Sequence, residues 1–341
     1  MGMNKIILKI FILFSFIFLF LISGTRIYLN SIDVPIYDFK LAYNFILNRN
    51  EISQYENLNQ LLGFSENDKL LIIHADDLGL SRSVNELSLK ALDSNYVNSA
   101  SIMMPTPEVK EVAKYFIKNP TLDIGLHLTV TAEWENYKWD GISSKDSIPS
   151  MIDEYGNFHE KKKNFIKNAK PEEVRIELQS QIDYAKSLGI IPSHIDSHEG
   201  ALFFSPEIFK VYLEIAEKNN LPAFVPRELS PHFDKNFPKP KNLVIVEKLY
   251  MANKGIEFKN WENYYHSVIK ELKPGLNEII VHLGTDDEEL KDITSNRVAF
   301  GSKWRNLDYE IISSSKFRSL LKENNIKLVN WTQIKKIIYP N

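Results

Sequence analysis

His194, Asp196 and His198 occupy alternate positions in the run His-Ile-Asp-Ser-His. On a β-strand alternate residues share a face, so these three line up while Ile195 and Ser197 point away. At ~3.3 Å per residue His194 and His198 stand about 13 Å apart, too far for both to bind one ion at metal–imidazole distances of about 2 Å. At most one of them is a ligand. His198, at the carboxyl end, takes that place, with Asp196 and His194 deeper and able to orient the ligands. A second polar strand end is "LLIIHADDLGLS", which finishes in His74, Asp76 and Asp77. Neighbours on a strand point to opposite faces, so both carboxylates reach one pocket only if the strand ends there and the chain turns. Gly79 supplies that turn. One carboxylate can then bind a metal while the other acts as a base toward water; as an alternative, the pair caps a helix starting near Ser81 or Ser83. His127 in "DIGLHL" and His282 in "IIVHLG" also stand late in apolar runs. One Asp and two His from three strands would leave open positions, as a hydrolytic metal requires. An ion there lowers the pKa of water and polarises a carbonyl, and an acid protonates the leaving group.

The elements that position these residues alternate. "KLLIIHA" from Lys69 is apolar enough for a strand buried on both faces, and "SVNELSLKALDS" (83–94) carries apolar residues at helical spacing. "SASIMMP", "LDIGLHLTV", "PSHIDSH", "PAFVPRE", "NEIIVHLG" and "IKLVNW" read as further strands. Between them "PEVKEVAKYFIKNP", "KPEEVRIELQSQIDYAKSLGI", "SPEIFKVYLEIAEKNN" and "SSSKFRSLLKENN" read as helices, the third with Ser205 as N-cap ahead of Pro206. Strands alternating with helices predict an α/β fold, a barrel or a doubly wound sheet. No Gly-x-Gly-x-x-Gly follows the first strand, which favours the barrel. In either architecture a site forms at the carboxyl ends of the strands, where the Asp and His residues fall.

With 41 basic against 44 acidic residues in 341, the chain has no charge bias toward nucleic acid. Residues 1–24 differ: the thirteen residues from Ile10 to Ile22 are apolar save Ser15, and they follow Lys5 and Lys9. This length suits the core of a signal peptide, and with Lys9 snorkelling the segment could serve as a membrane anchor. The expected location is therefore outside the cytoplasm, exported or anchored. The absence of cysteine excludes disulfides and a thiolate nucleophile. Residues 25–65 read as a spacer or lead-in helix, and 66–341 as the working domain.

"HADDLGLSRSVN", "DIGLHLT", "PSMIDEYGNFH", "RIELQSQIDYAKSLGIIPSHIDSH" and "IIVHLG" occur in the order found in the YdjC-like carbohydrate deacetylases, which this chain resembles from about Lys69 to Trp331. The resemblance implies an irregular (β/α) TIM-like barrel and one divalent ion, Mg2+ or Zn2+. It also implies that Asp77, His127 and His198 match the ligands and Asp76 the catalytic base. His282 matches a family histidine and is the candidate acid; Arg227 in "VPRE" matches an arginine near the pocket. Where the family commonly continues with further histidines after "HxDSH", this chain has Glu199, Gly200 and Ala201. Trp134 and Trp139 suit aromatic platforms against sugar rings, or else pack a loop. The expected activity is removal of N-acetyl groups from an amino sugar or oligosaccharide. The alternatives are a metal-independent glycoside hydrolase and a non-catalytic exported sugar-binding protein. The expected partners are the N-acetylated sugar and, through the N-terminal segment, the membrane. No nucleic acid is expected, and a homodimer is compatible with these readings.

Overall fold

The computed structural model describes residues 22–24, 58–227 and 243–340. The chain divides into two units, residues 1–51 with 230–235 and residues 52–229 with 236–341. In the first, only residues 22–24 are described, and they are helical and exposed. Both the remainder of the expected export segment and the lead-in up to residue 57 lie outside the described residues. Among those described, no helix is long and apolar enough to cross a membrane.

The second unit is a parallel β-barrel wrapped by helices. Its strands are β1 (Lys69–Leu78), β2 (Ser99–Ile102), β3 (Ile124–Leu128), β4 (Ile195–Ser197), β5 (Ala223–Pro226), β6 (Leu243–Val246), β7 (Lys248–Tyr250), β8 (Gly275–His282) and β9 (Lys327–Leu328). They are ordered β6-β5-β4-β3-β2-β1-β8-β7. Residues 243–250 bring the two ends of this order together, because β6 pairs with β5 and β7 with β8 on either side of Glu247. The barrel is irregular at β1. Its lower half pairs with β9 at Leu70 and Leu71, its upper half with β2 from His74 onward, and β8 pairs with it from Lys69 to Asp76.

The helices used below are α1 (Arg82–Asp93), α2 (Val109–Lys118), α3 (Pro171–Ser187), α4 (Pro206–Lys218), α5 (Trp261–Glu271), α6 (Glu288–Ile293), α7 (Ser302–Ser313), α8 (Ser315–Glu323) and α9 (Trp331–Ile338). Two caps fall where side-chain chemistry favours them. The hydroxyl of Ser81 accepts from Val84 N at 3.2 Å to start α1, and that of Ser205 accepts from Ile208 N at 3.4 Å to start α4. Because Ser81 supplies the α1 cap, neither Asp76 nor Asp77 is spent on it. The segment "IKLVNW" is strand only at Lys327–Leu328; Asn330 then caps α9 in a reciprocal capping box with Gln333. β6, β7, α5, α6, α7 and α9 were not anticipated from the sequence.

The barrel interior is polar below its carboxyl ends as well as at them, with Ser99, Asp123, His194 and Glu278 all buried. β1 is buried from Leu70 onward, and alternation sends His74 and Asp76 to one face. Ser99 and Ser101 of β2 meet His74 at 2.9 and 3.0 Å. His194 packs flat on Trp331, with ring centroids 4.7 Å apart. Gly125 of β3 makes room for it: a Cβ there would lie 2.3 Å from the His194 ring.

Candidate metal centre

The last two residues before the end of β1 carry the geometry of the site. Asp77 has φ 69°, in the left-handed region that non-glycine residues seldom enter. The pairing of β1 with β2 is irregular between Ala75 and Leu78, around this residue. The reversal lets Asp77 face the same space as Asp76 despite their adjacency, two residues earlier than the turn expected at Gly79. Gly79 is itself left-handed, with φ 94°.

Three lone pairs converge there. His127 donates from Nδ1 to Asp196 Oδ1 at 2.7 Å, which leaves its Nε2 as an acceptor 3.4 Å from Asp77 Oδ1. His198 donates from Nε2 to Glu133 Oε2 at 3.0 Å, which leaves Nδ1 as an acceptor 3.5 Å from the same oxygen. Asp77 Oδ1 is buried and has no hydrogen-bond partner. The other oxygen, Oδ2, accepts from Arg305 Nη2 at 2.7 Å. An anionic oxygen and two imidazole nitrogens facing one another fit a divalent cation. Burial works against the Asp77 charge, but the Arg305 guanidinium holds its carboxyl well below the usual carboxylate range.

Asp76 is beside this centre and is held from below. Its Oδ1 meets His74 Nε2 at 3.2 Å, while Oδ2 lies 3.8 Å from His127 Nε2 and 3.9 Å from His282 Nε2. Burial favours a neutral His74, but hydrogen bonds to Asp196 and Asp76 outweigh it and raise its pKa well above the ordinary value. His282 differs: burial, aided by the nearby Arg305, lowers its pKa to about 4, so its imidazole is neutral at rest. Its backbone N–H donates to Asp308 Oδ2 at 3.1 Å.

The residues expected at the site therefore separate into groups. Asp77, His127 and His198 meet around one point, with Asp76 and His282 next to it. Asp196 sits under His127, and His194 lies deeper, 3.7 Å from Asp196 Oδ2. Trp134 and Trp139, expected either as sugar platforms or as loop packing, are both buried. Trp134 is 2% exposed beneath the Arg297 guanidinium, and Trp139 is 4% exposed with its Nε1 donating to Thr131 O at 2.9 Å. Neither offers an open face. Arg227, at the end of β5, is engaged by Glu247, with Nη2 to Oε1 at 2.6 Å.

Sequence reasoning missed Arg305, Glu133 and Asp308. Arg305 and Asp308 lie on α7, where a periodicity reading assigns charged residues to solvent, yet both are buried. Asp308 accepts from Trp261 Nε1 at 2.8 Å and Tyr265 Oη at 2.7 Å, and burial raises its pKa to about 7. The one available signal for Glu133 was its position six residues after His127.

The sequence profile of the family described as "YdjC-like protein" matches residues 70–323. A protein from Thermoanaerobacter pseudethanolicus named carbohydrate deacetylase is 28% identical over 269 residues, 78% of this chain and 100% of that one. One of the same name from Clostridium beijerinckii is 25% identical over 77% of this chain and 99% of its own. Among solved structures, that of an Enterococcus faecalis protein described as a candidate for cellobiose-phosphate cleavage superposes with a TM-score of 0.66. It is 25% identical and covers 78% of this chain and 99% of its own.

Proposed function

Because the chain belongs to the YdjC-like family, whose profile spans residues 70–323, we propose that it is a metal-dependent hydrolase removing N-acetyl groups from an amino sugar or oligosaccharide. One observation carries this reading: the unpartnered oxygen of Asp77 lies between two imidazole nitrogens, with the second carboxylate, Asp76, alongside. Asp77, His127 and His198 would hold one divalent ion; two imidazoles favour Zn2+, and the family resemblance admits Mg2+. When bound, the ion supplies Lewis-acid polarisation of the acetamide carbonyl and lowers the pKa of water.

The chain's own residues do the rest. Asp76, steadied by His74, takes a proton from the attacking water. Asp196 and Glu133 fix the ring orientation and tautomer of His127 and His198. His282, neutral at rest, receives a proton across the 3.9 Å that separates it from Asp76 and passes it to the departing amine nitrogen. The amide C–N bond breaks, yielding acetate and a free amino sugar.

The test is release of acetate from N-acetylated oligosaccharides by the purified protein, before and after stripping with a chelator. Activity that disappears with the metal and returns with Zn2+ or Mg2+ is expected. Full activity in metal-stripped protein, or shortened sugars in place of acetate, would overturn the reading. We also propose that residues 1–24 direct export or anchoring, on the strength of their apolar run. Fractionation of the native host should then recover the protein outside the cytoplasm; an intact N-terminus in the soluble cytoplasmic fraction would refute this.

A further inference from the structure

The loop between α6 and α7 is built in costly backbone. Ser295, Asn296 and Phe300 have φ of 48°, 53° and 58°, all left-handed, and such a value for a bulky aromatic persists only where its surroundings enforce it. The enforcement is visible. Arg305 Nε donates to Phe300 O at 2.8 Å, and the same guanidinium holds Asp77 through Nη2 at 2.7 Å. On the other flank, Arg297 Nη2 donates to Glu133 O at 3.0 Å while its guanidinium lies 5.1 Å over the Trp134 ring. Gly301 is required for this path, since a Cβ there would lie 1.8 Å from Arg297 O.

These contacts fix the Phe300 side chain beside the reacting groups. Its ring packs edge-on against His282, centroids 4.9 Å apart at 63°, and is backed by Trp304 at 4.8 Å. Phe300 is half-buried, whereas Trp134 and Trp139 are buried. If His282 protonates the departing nitrogen, the group attached to that nitrogen must lie against whatever flanks His282. That group is the sugar ring, whose C–H faces are apolar and stack on aromatic rings.

Resting on the deacetylase reading, we propose that Phe300 is the platform for the amino-sugar ring that bears the scissile acetamide. Its strained backbone sets the platform before substrate arrives, and binding then orders one side chain fewer.

Phe300→Gly tests this, because glycine removes the ring and suits the left-handed backbone. Phe300→Leu keeps apolar bulk without a flat face and serves if the glycine variant does not fold. With di-N-acetylchitobiose as substrate, KM should rise roughly three- to tenfold with kcat nearly unchanged, the signature of lost ring binding. Metal content should stay at the wild-type level, and Phe300→Tyr should restore KM. Unchanged KM in folded Phe300→Gly or Phe300→Leu, in an enzyme that does release acetate, overturns the platform and leaves the deacetylase reading intact. Calorimetric binding of the disaccharide separates the reverse case. Wild-type protein that binds it more tightly than Phe300→Leu but releases no acetate supports the platform and refutes the reaction; absence of binding to wild type overturns the platform.

Discussion

Asp76 and Asp77 are chemically identical neighbours given different surroundings by one backbone dihedral and one arginine. A left-handed Asp costs on the order of 1–3 kcal/mol, and here it points Oδ1 at two imidazoles while Arg305 occupies Oδ2. Asp77→Asn should therefore lose the ion, because an amide is a poorer donor and leaves the positive charge uncompensated. Asp76→Asn should keep it and lose roughly 10²- to 10⁴-fold in turnover, as expected for a missing general base. His198→Ala should follow Asp77→Asn, and His194→Ala should cost less metal than either, since it acts through Asp196. Metal content and rate measured together on all four decide; metal lost from His194→Ala but kept by His198→Ala would mean the site is wrongly assigned. Arg305 gives a second expectation. Truncating one partner of a buried ion pair leaves an uncompensated charge, so Arg305→Met should destabilise the metal-free protein by about 3–5 kcal/mol in denaturant unfolding. Saturation with Zn2+ should narrow that gap, because the ion replaces the missing positive charge; an equal loss in both states would contradict the pairing described.

In β3 the missing side chain of Gly125 leaves room for the His194 ring stacked on Trp331. Gly125→Ala should overpack the interior by about 1–3 kcal/mol, read by denaturant unfolding, while metal content holds because His127 and His198 are not displaced. Stability equal to wild type would show that the ring is free to move. The strands that carry the candidate ligands were legible beforehand, β1 and β3 as apolar runs with Asp or His late in them and β4 as the alternating His-Ile-Asp-Ser-His run. β6 and β7 were not, since four and three residues on either side of Glu247 are too short to show a period. α7 escaped for a different reason: Arg305 and Asp308 look like a solvated face until their partners arrive from β1, α5 and β8. The bend at Asp77 was equally hidden, because aspartate has no strong preference for that region and Gly79 offered a more obvious turn. What could be read was which residues end the strands; what could not was the long-range pairing that orients them.

At the scale of the molecule, the candidate ligands come from positions 77, 127 and 198, separated by two long stretches of chain and three different strand ends. An unfolded chain does not hold them together, so an ion that binds the native barrel adds its binding free energy to folding. At a free concentration of 100 times its Kd the gain is about 2.7 kcal/mol. For a domain of this size that corresponds to a rise in Tm of roughly 5–10 °C. The site stitches β1, β3 and β4, which the barrel order places together at one side with β2 between the first two. Protection should therefore be local as well as global: amide exchange should slow most at these strand ends and less at β6, which lies at the far end of the order. The measurement is a thermal melt of chelator-treated protein with and without Zn2+, run beside Asp76→Asn and Asp77→Asn. Asp76→Asn should keep the shift and Asp77→Asn should lose it. A shift of equal size in both variants would mean that the ion stabilises the protein from somewhere other than the end of β1.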